Sequence, residues 1–353
     1  MSTGQRPDAA AGQMGGSFLL GTGRSGSTML SDILATHPEI ASLSEVLTYL
    51  GTRSLLPGRI GGARYWQRLS RQTPLYRQLF TAETAPAEFL YPRVGGRFAV
   101  DDVPPILATT LPHLTDRPDA LFDALARTVP LQPRQTMPDH HRALFAHLAR
   151  ETGARLWVER SGLSLMQARV LRQGFPEAKF VFLHRDGRDV ALSLRDFIPA
   201  RLIVWSWYLF RKLGANPIAI SAPTGASRKL WLFERLFTPV FPIARALATP
   251  PPLAACAGFW SEMVLSALPE YHALPPERRM LLGYETLCAD PAREIARLVR
   301  FLGAEPSPRW LANAARVPER RPPRWQSLPP ADRHALSQAT ESARAALAAL
   351  PAD

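Results

Sequence analysis

Apolar runs of three to five residues recur along the chain, and several are followed by a turn and then by apolar positions at helical spacing. Phe18-Leu19-Leu20 leads into a glycine-rich stretch, after which Met29-Leu30 and Ile33-Leu34 fall on one helix face. This pattern predicts a strand over 17–21, a helix over 27–36 and a short strand near 39–43, with Pro38 closing the connecting turn. Segments 118–128 and 139–151 read as helices. Residues 154–158 read as a strand, 163–173 as a helix and 179–184 as a buried strand, with a helix from Arg188 onward. An amphipathic run follows from Asp290-Pro291 to Phe301-Leu302-Gly303, and 331–349 reads as an Ala-rich terminal helix. Strand alternating with helix implies a three-layer α/β fold, a parallel sheet with helices on both faces.

Two stretches break the alternation. Residues 51–96 are rich in Arg, Gly, Pro and Tyr and read as an irregular or partly helical insertion. Residues 197–255 mix Trp205, Trp207, Tyr208, Phe210, Trp231, Phe233, Phe237 and Phe241 with Arg and Pro. Helical spacing of aromatics usually means core. A lid over a bulky apolar acceptor, or a face touching a membrane, are the other readings. The longest apolar stretch, 202–210, is nine residues, far short of the ~20 that cross a bilayer. The Pro/Arg-rich stretch 304–329 reads as a connection.

The 353 residues suit one large α/β domain over 17–353 with insertions near 51–96 and 197–255, and a mobile tail over 1–16. Two cysteines make no disulfide framework, and the N-terminus has no secretion-signal pattern, so a cytoplasmic location is expected. The net charge of +12 is carried almost wholly by arginine, with three lysines among 42 cationic residues. A positive field suits an anionic nucleotide substrate. The arginines are dispersed, with no run of five and no nucleic-acid module, which argues against a DNA or RNA partner.

The chemistry concentrates in two stretches. Gly21-Thr22-Gly23-Arg24-Ser25-Gly26-Ser27-Thr28 has the outline of a phosphate-binding Walker loop, but Ser27 stands where the lysine belongs and the cation is Arg24. Backbone N–H groups and a helix N-terminus still make an anion cradle. In the second stretch, Phe180–Leu183 forms a strand, Arg185 ends it, and Ser193 lies on the helix beyond. Arg185 as a bidentate fork and Ser193 as a donor can serve one phosphate. No Asp-rich strand for Mg²⁺ accompanies them.

Together these motifs resemble the sulfotransferases that use 3′-phosphoadenosine 5′-phosphosulfate, over roughly 16–46, 154–195 and 254–303. The resemblance implies a P-loop-like fold and the phosphosulfate as co-substrate, with no metal. It implies a 5′-phosphosulfate loop of Gly23, Arg24, Ser25, Gly26, Ser27, Thr28 and Met29, and a 3′-phosphate site of Arg185 and Ser193. Glu45, just past the second strand, falls where branches of the family place a catalytic glutamate. On the residues alone it is equally an acid at a helix N-terminus. Arg160 stands where many relatives carry Lys, and is either near the transferring group or in an ion pair with Glu159 or Asp186. Arg324 and Trp325 loosely resemble an element that closes over the 3′-phosphate and adenine. The acceptor is expected to be a carbohydrate, lipid or other small molecule, bound through a hydroxyl or amine. The other readings are a P-loop kinase or NTPase, and a non-catalytic nucleotide- or nucleic-acid-binding protein. The histidines His37, His140, His141, His147 and His184 are expected to be structural, and no metal site is expected.

Overall fold

The computed structural model describes residues 14–81, 85–214, 216, 218 and 242–351, Thr52 by its backbone alone. The expected tail up to residue 13, and Trp231, Phe233, Phe237 and Phe241, lie outside the described residues. Among the described residues seven strands are present: β1 Gly15–Gly21, β2 Ile40–Ser44, β3 Arg59–Ile60, β4 Gln135–Thr136, β5 Leu156–Arg160, β6 Lys179–His184 and β7 Arg279–Gly283. Five make one parallel sheet in the order β2-β5-β1-β6-β7, while β3 and β4 pair antiparallel as a separate ribbon. The expected parallel sheet is therefore present, with β1 at its centre.

Side chains alternate across the sheet, and both faces are covered. Phe18, Leu20, Ala41, Leu43, Trp157, Phe180 and Phe182 face one core. Leu19, Ile40, Leu156, Val158, Val181, Leu183, Met280 and Leu282 face the other. The second core is closed by the helices Ser27–Ala35, Pro291–Leu302 and Pro308–Ala314 through Leu30, Ile33, Ile295, Leu298 and Ala314. The first is closed by the helices Met137–Glu151, Gly187–Asp196 and Leu253–His272, with the C-terminal helix Pro330–Ala348 packed outside the last two. Phe18 is boxed by Phe145, Trp157, Phe175 and Phe180, all with ring centroids within 6.5 Å.

Several boundaries differ from expectation. β5 runs over 156–160, two residues later than expected, because its ladder follows Ile40–Ser44 of β2 to the end and draws Glu159 and Arg160 into the strand. Residues 163–173 open on a 3₁₀ turn, Ser164–Gln167, before the helix Ala168–Gly174, because Ser164 is tied to β1: the Gly21 N–H donates to its Oγ at 3.3 Å. The stretch 304–329 contains the helix Pro308–Ala314, begun by Ser307, whose hydroxyl accepts from the Trp310 N–H. The insertion is partly helical as expected, with Gly62–Ser70 and Pro74–Leu79. In the aromatic segment, the helix Ile198–Lys212 buries Leu202, Val204 and Trp207, and Trp207 meets Phe259 edge-on. One face of that helix is core, while Trp205, Tyr208 and Phe210 are half-buried and Ile203 and Leu209 are exposed.

Candidate active site

All five parallel strands end at one edge. Along it lie Glu45 after β2, Arg160-Ser161 at the end of β5, the loop Thr22–Gly26 after β1, His184-Arg185 at the end of β6 and Tyr284 after β7. Open α/β sheets bind ligands at this edge, where the chain runs to opposite sides from neighbouring strands. Here the chain leaves β1 toward β2 on one side of it, and leaves β6 toward β7 on the other.

The loop turns tightly through Gly23 (φ +70°), Arg24 (φ +56°) and Gly26 (φ +92°). Gly26 is required twice. Its φ is left-handed, and a Cβ there would stand 2.6 Å from the Tyr284 ring. Ser25 is fully buried, and its Oγ has no hydrogen-bond partner. Thr28 and Met29 are half-buried, and Met29 packs on the second core while Ser27 opens the helix.

The second motif converges on this loop. The Arg185 guanidinium lies 4.5 Å from the Tyr284 ring, its Nη1 donates to the Arg24 carbonyl at 3.3 Å, and its buried Nε has no partner. Arg24 Nε donates to Ser193 Oγ at 3.0 Å, Nη1 contacts Glu88 Oε1 at 3.3 Å, and the guanidinium covers the Phe197 ring at 4.5 Å. Residues far apart in sequence thus share one cluster of donors. The Trp325 backbone N–H donates to Asp189 Oδ1 at 3.1 Å, and the Trp325 ring is covered by the Arg188 guanidinium at 3.6 Å. Arg324 pairs with Asp196 at 2.8 Å. Both residues therefore dock on the helix that carries Ser193.

On the other side of β1, Arg160 Nη1 forms a buried ion pair with Glu45 Oε1, and the Gly162 N–H donates to Glu45 Oε2 at 2.9 Å. The partner of Arg160 is thus Glu45, rather than Glu159 or Asp186. Alternation along β5 turns Glu159 to the opposite face, and Asp186 pairs with Arg188. Glu45 itself has φ +65° and makes no side-chain cap to the helix Val46–Leu50, so it does not act as an N-terminal helix acid. Burial pushes the Glu159 carboxyl up to about 8.

A sequence model described as Sulfotransferase family matches residues 17–218, more than half of the chain. The chain belongs to the sulfotransferase family. Its fold is similar to the sulfotransferase domain of the olefin synthase from Synechococcus PCC 7002, at 18% identity and TM-score 0.47, covering 95% of each chain. It is also similar to the sulfotransferase domain from the curacin biosynthetic pathway, at 16% identity and TM-score 0.47, covering 96% of this chain and 100% of that one. A retinol dehydratase solved with androsterone and the inactive cofactor PAP matches at 16% identity and TM-score 0.31, covering 85% of this chain and 63% of its own. No curated protein matches.

Polar residues that no motif marked also lie near these groups. Glu88 comes from the insertion, 64 positions from the arginine it contacts, and nothing in its local sequence sets it apart. His113 Nδ1 lies 3.8 Å from Asp32 Oδ1, burial lowering His113 and raising Asp32 from their usual ranges. Three further histidines have structural partners. His37 stands edge-on to Trp310, His140 bonds Gln132 and the Ile60 carbonyl, and His141 bonds Tyr65 and the Ser54 carbonyl. Among the described residues no cluster of His, Cys, Asp and Glu has the arrangement of a metal site, and no helix is long and apolar enough to cross a membrane.

Proposed function

We propose that this sulfotransferase moves a sulfuryl group from 3′-phosphoadenosine 5′-phosphosulfate to the hydroxyl or amine of a small-molecule, glycan or lipid acceptor. In the balanced step, the acceptor oxygen or nitrogen forms a bond to sulfur, the bond from sulfur to the 5′-phosphate oxygen breaks, and the acceptor's proton passes to Glu45. Arg24 and the N–H groups of the loop hold the 5′-phosphosulfate and stabilise charge growing on the leaving phosphate. Arg185 and Ser193 hold the 3′-phosphate, and Arg324 and Trp325 close over that end. Arg160 holds the Glu45 carboxylate in place beside the acceptor.

The observation that carries this reading is the pair of buried, unpartnered polar atoms, Ser25 Oγ and Arg185 Nε, one in each anion motif. Buried donors without partners are costly, and phosphate oxygens at each end of one ligand would satisfy both. The contact of Arg24 with Ser193 at 3.0 Å brings the two motifs within reach of a single nucleotide. We place the reaction in the cytosol, where the buried thiols of Cys256 and Cys288 stay reduced.

Calorimetric titration with the phosphosulfate tests the donor. One equivalent should bind, and Arg185→Ala should weaken binding about 10- to 100-fold, the loss of a charge-assisted hydrogen bond. Glu45→Gln should leave donor binding intact and reduce turnover roughly 10²-fold or more. Mass spectrometry of host extract incubated with labelled donor should reveal a sulfo adduct. A protein that binds no donor, or binds it equally well without Arg24 and Arg185, would end this reading.

A further inference from the structure

The helix Val46–Leu50 is capped by a residue from another strand. An acid at the N-cap ordinarily accepts from the first free amides of its own helix. Glu45 holds that position but makes no such bond. Instead the N–H groups of Leu47 and Thr48 donate to Ser161 Oγ at 2.9 and 3.2 Å. The Ser161 hydroxyl donates in turn to Glu159 Oε1 at 2.5 Å, which also lies 3.4 Å from the Leu47 nitrogen. Ser161 and Glu159 are 2% and 0% exposed, and Glu159 Oε2 has no partner.

A buried carboxyl with an unpartnered oxygen is destabilising, and its place here calls for a reason. Three successive residues divide the work. Glu159 braces Ser161, Ser161 occupies the amides, and Arg160 between them takes the Glu45 carboxylate on the other face of the strand. With the amides already satisfied, both oxygens of Glu45 point to Arg160 and the Gly162 N–H. A protonated Glu159 also spares Glu45 a second negative charge close by.

We propose that Ser161, braced by Glu159, is a positioning residue that caps the Val46–Leu50 helix in place of Glu45 and so keeps the Glu45 carboxylate turned toward the acceptor. The proposal rests on the role given to Glu45 above. Without Ser161, the Leu47 and Thr48 amides lose their acceptor, and the Glu45 side chain at the N-cap of the same helix turns onto them in competition with Glu159 Oε1. Misplacement of a reacting group by about 1 Å costs on the order of 10²-fold in rate.

The test compares Ser161→Ala with Ser161→Thr in the full chain, by crystal structure, donor titration and steady-state kinetics. In Ser161→Ala, the Glu45 carboxylate is expected on the Leu47 and Thr48 amides, with kcat reduced about 10- to 100-fold and donor affinity unchanged. Ser161→Thr, which keeps the hydroxyl, is expected to restore both the geometry and kcat. A Ser161→Ala structure with Glu45 still on Arg160, or a kcat equal to the parent's, overturns the proposal. So does a parallel loss of donor binding and melting temperature, the mark of general damage. The crystal structure needs no turnover. If the parent protein transfers no sulfuryl group, the functional reading fails, while the position of Glu45 in Ser161→Ala still decides the capping role.

Discussion

Arg24, Glu45 and Leu163 adopt left-handed backbone without being glycine, and among the described residues no other non-glycine does so. Each such residue costs on the order of 1–2 kcal/mol, and all three stand at the carboxyl edge of the sheet. Strain concentrated at one edge fits a site whose geometry is held by its surroundings. Arg24 shows what those surroundings do. Its contact with Glu88 places a protein carboxylate where an anionic ligand would compete. The pair is partly exposed and is worth about 0.2–1 kcal/mol. Glu88→Gln is therefore expected to tighten donor binding by up to about fivefold, measured by titration; an unchanged dissociation constant would mean that Arg24 does not move to meet the donor. Arg24 and Arg185 were legible in the sequence because each sits in a turn or strand end with a local pattern, and Ser193 because it lies on the helix just beyond Arg185. Glu88 was not, because its position comes from an insertion folding back over the loop.

At the scale of elements, the edge strand β2 and the short helix after it carry the Glu45 carboxylate, while β6 and its helix carry Arg185 and Ser193. The helix Gly187–Asp196 is the hub. It begins at the Asp186 cap, whose Oδ1 accepts from the Arg188 N–H at 2.9 Å, and it bears Ser193, Asp189 and Asp196, which meet Arg24, Trp325 and Arg324. Its rear is held by the helix Leu253–His272, where Gly187 lies against Trp260, so closely that a Cβ would stand 2.3 Å from the ring. The C-terminal helix Pro330–Ala348 packs on both, burying Leu336 and Ala343 completely. Leu336→Ala is expected to cost about 2–5 kcal/mol, read as a lower melting temperature. Because that helix supports the hub, donor affinity should fall before the protein unfolds. Equal affinity at all temperatures below the transition would show that the terminal helix contributes stability alone.

For the whole molecule, two fully buried titrating groups set opposite limits on pH stability. Burial holds His141 down at about 4, so between pH 6.5 and 4 the unfolded chain binds the additional proton and stability falls as the pH drops. Burial holds Glu159 up at about 8, so between pH 4.5 and 8 the folded chain binds the additional proton and stability falls as the pH rises. Denaturant midpoints across pH 4–9 should therefore decline at both ends. Glu159→Gln, which cannot ionise, should flatten the alkaline decline and leave the acid one. An alkaline limb as steep in the variant as in the parent would assign that limb to other groups.

The sequence alone determined the parallel α/β architecture, the two anion motifs and the carboxylate after the second strand, because alternation, turn chemistry and strand ends are properties of a few neighbouring residues. Tertiary structure decided what those groups face. The ladder with β2 carried β5 two residues further and set Arg160 against Glu45, not Glu159. The packing of remote segments brought Glu88 to Arg24 and Ser161 to the amides of Leu47 and Thr48. Such contacts depend on register and on how loops return over the sheet, and chain distance carries no record of either.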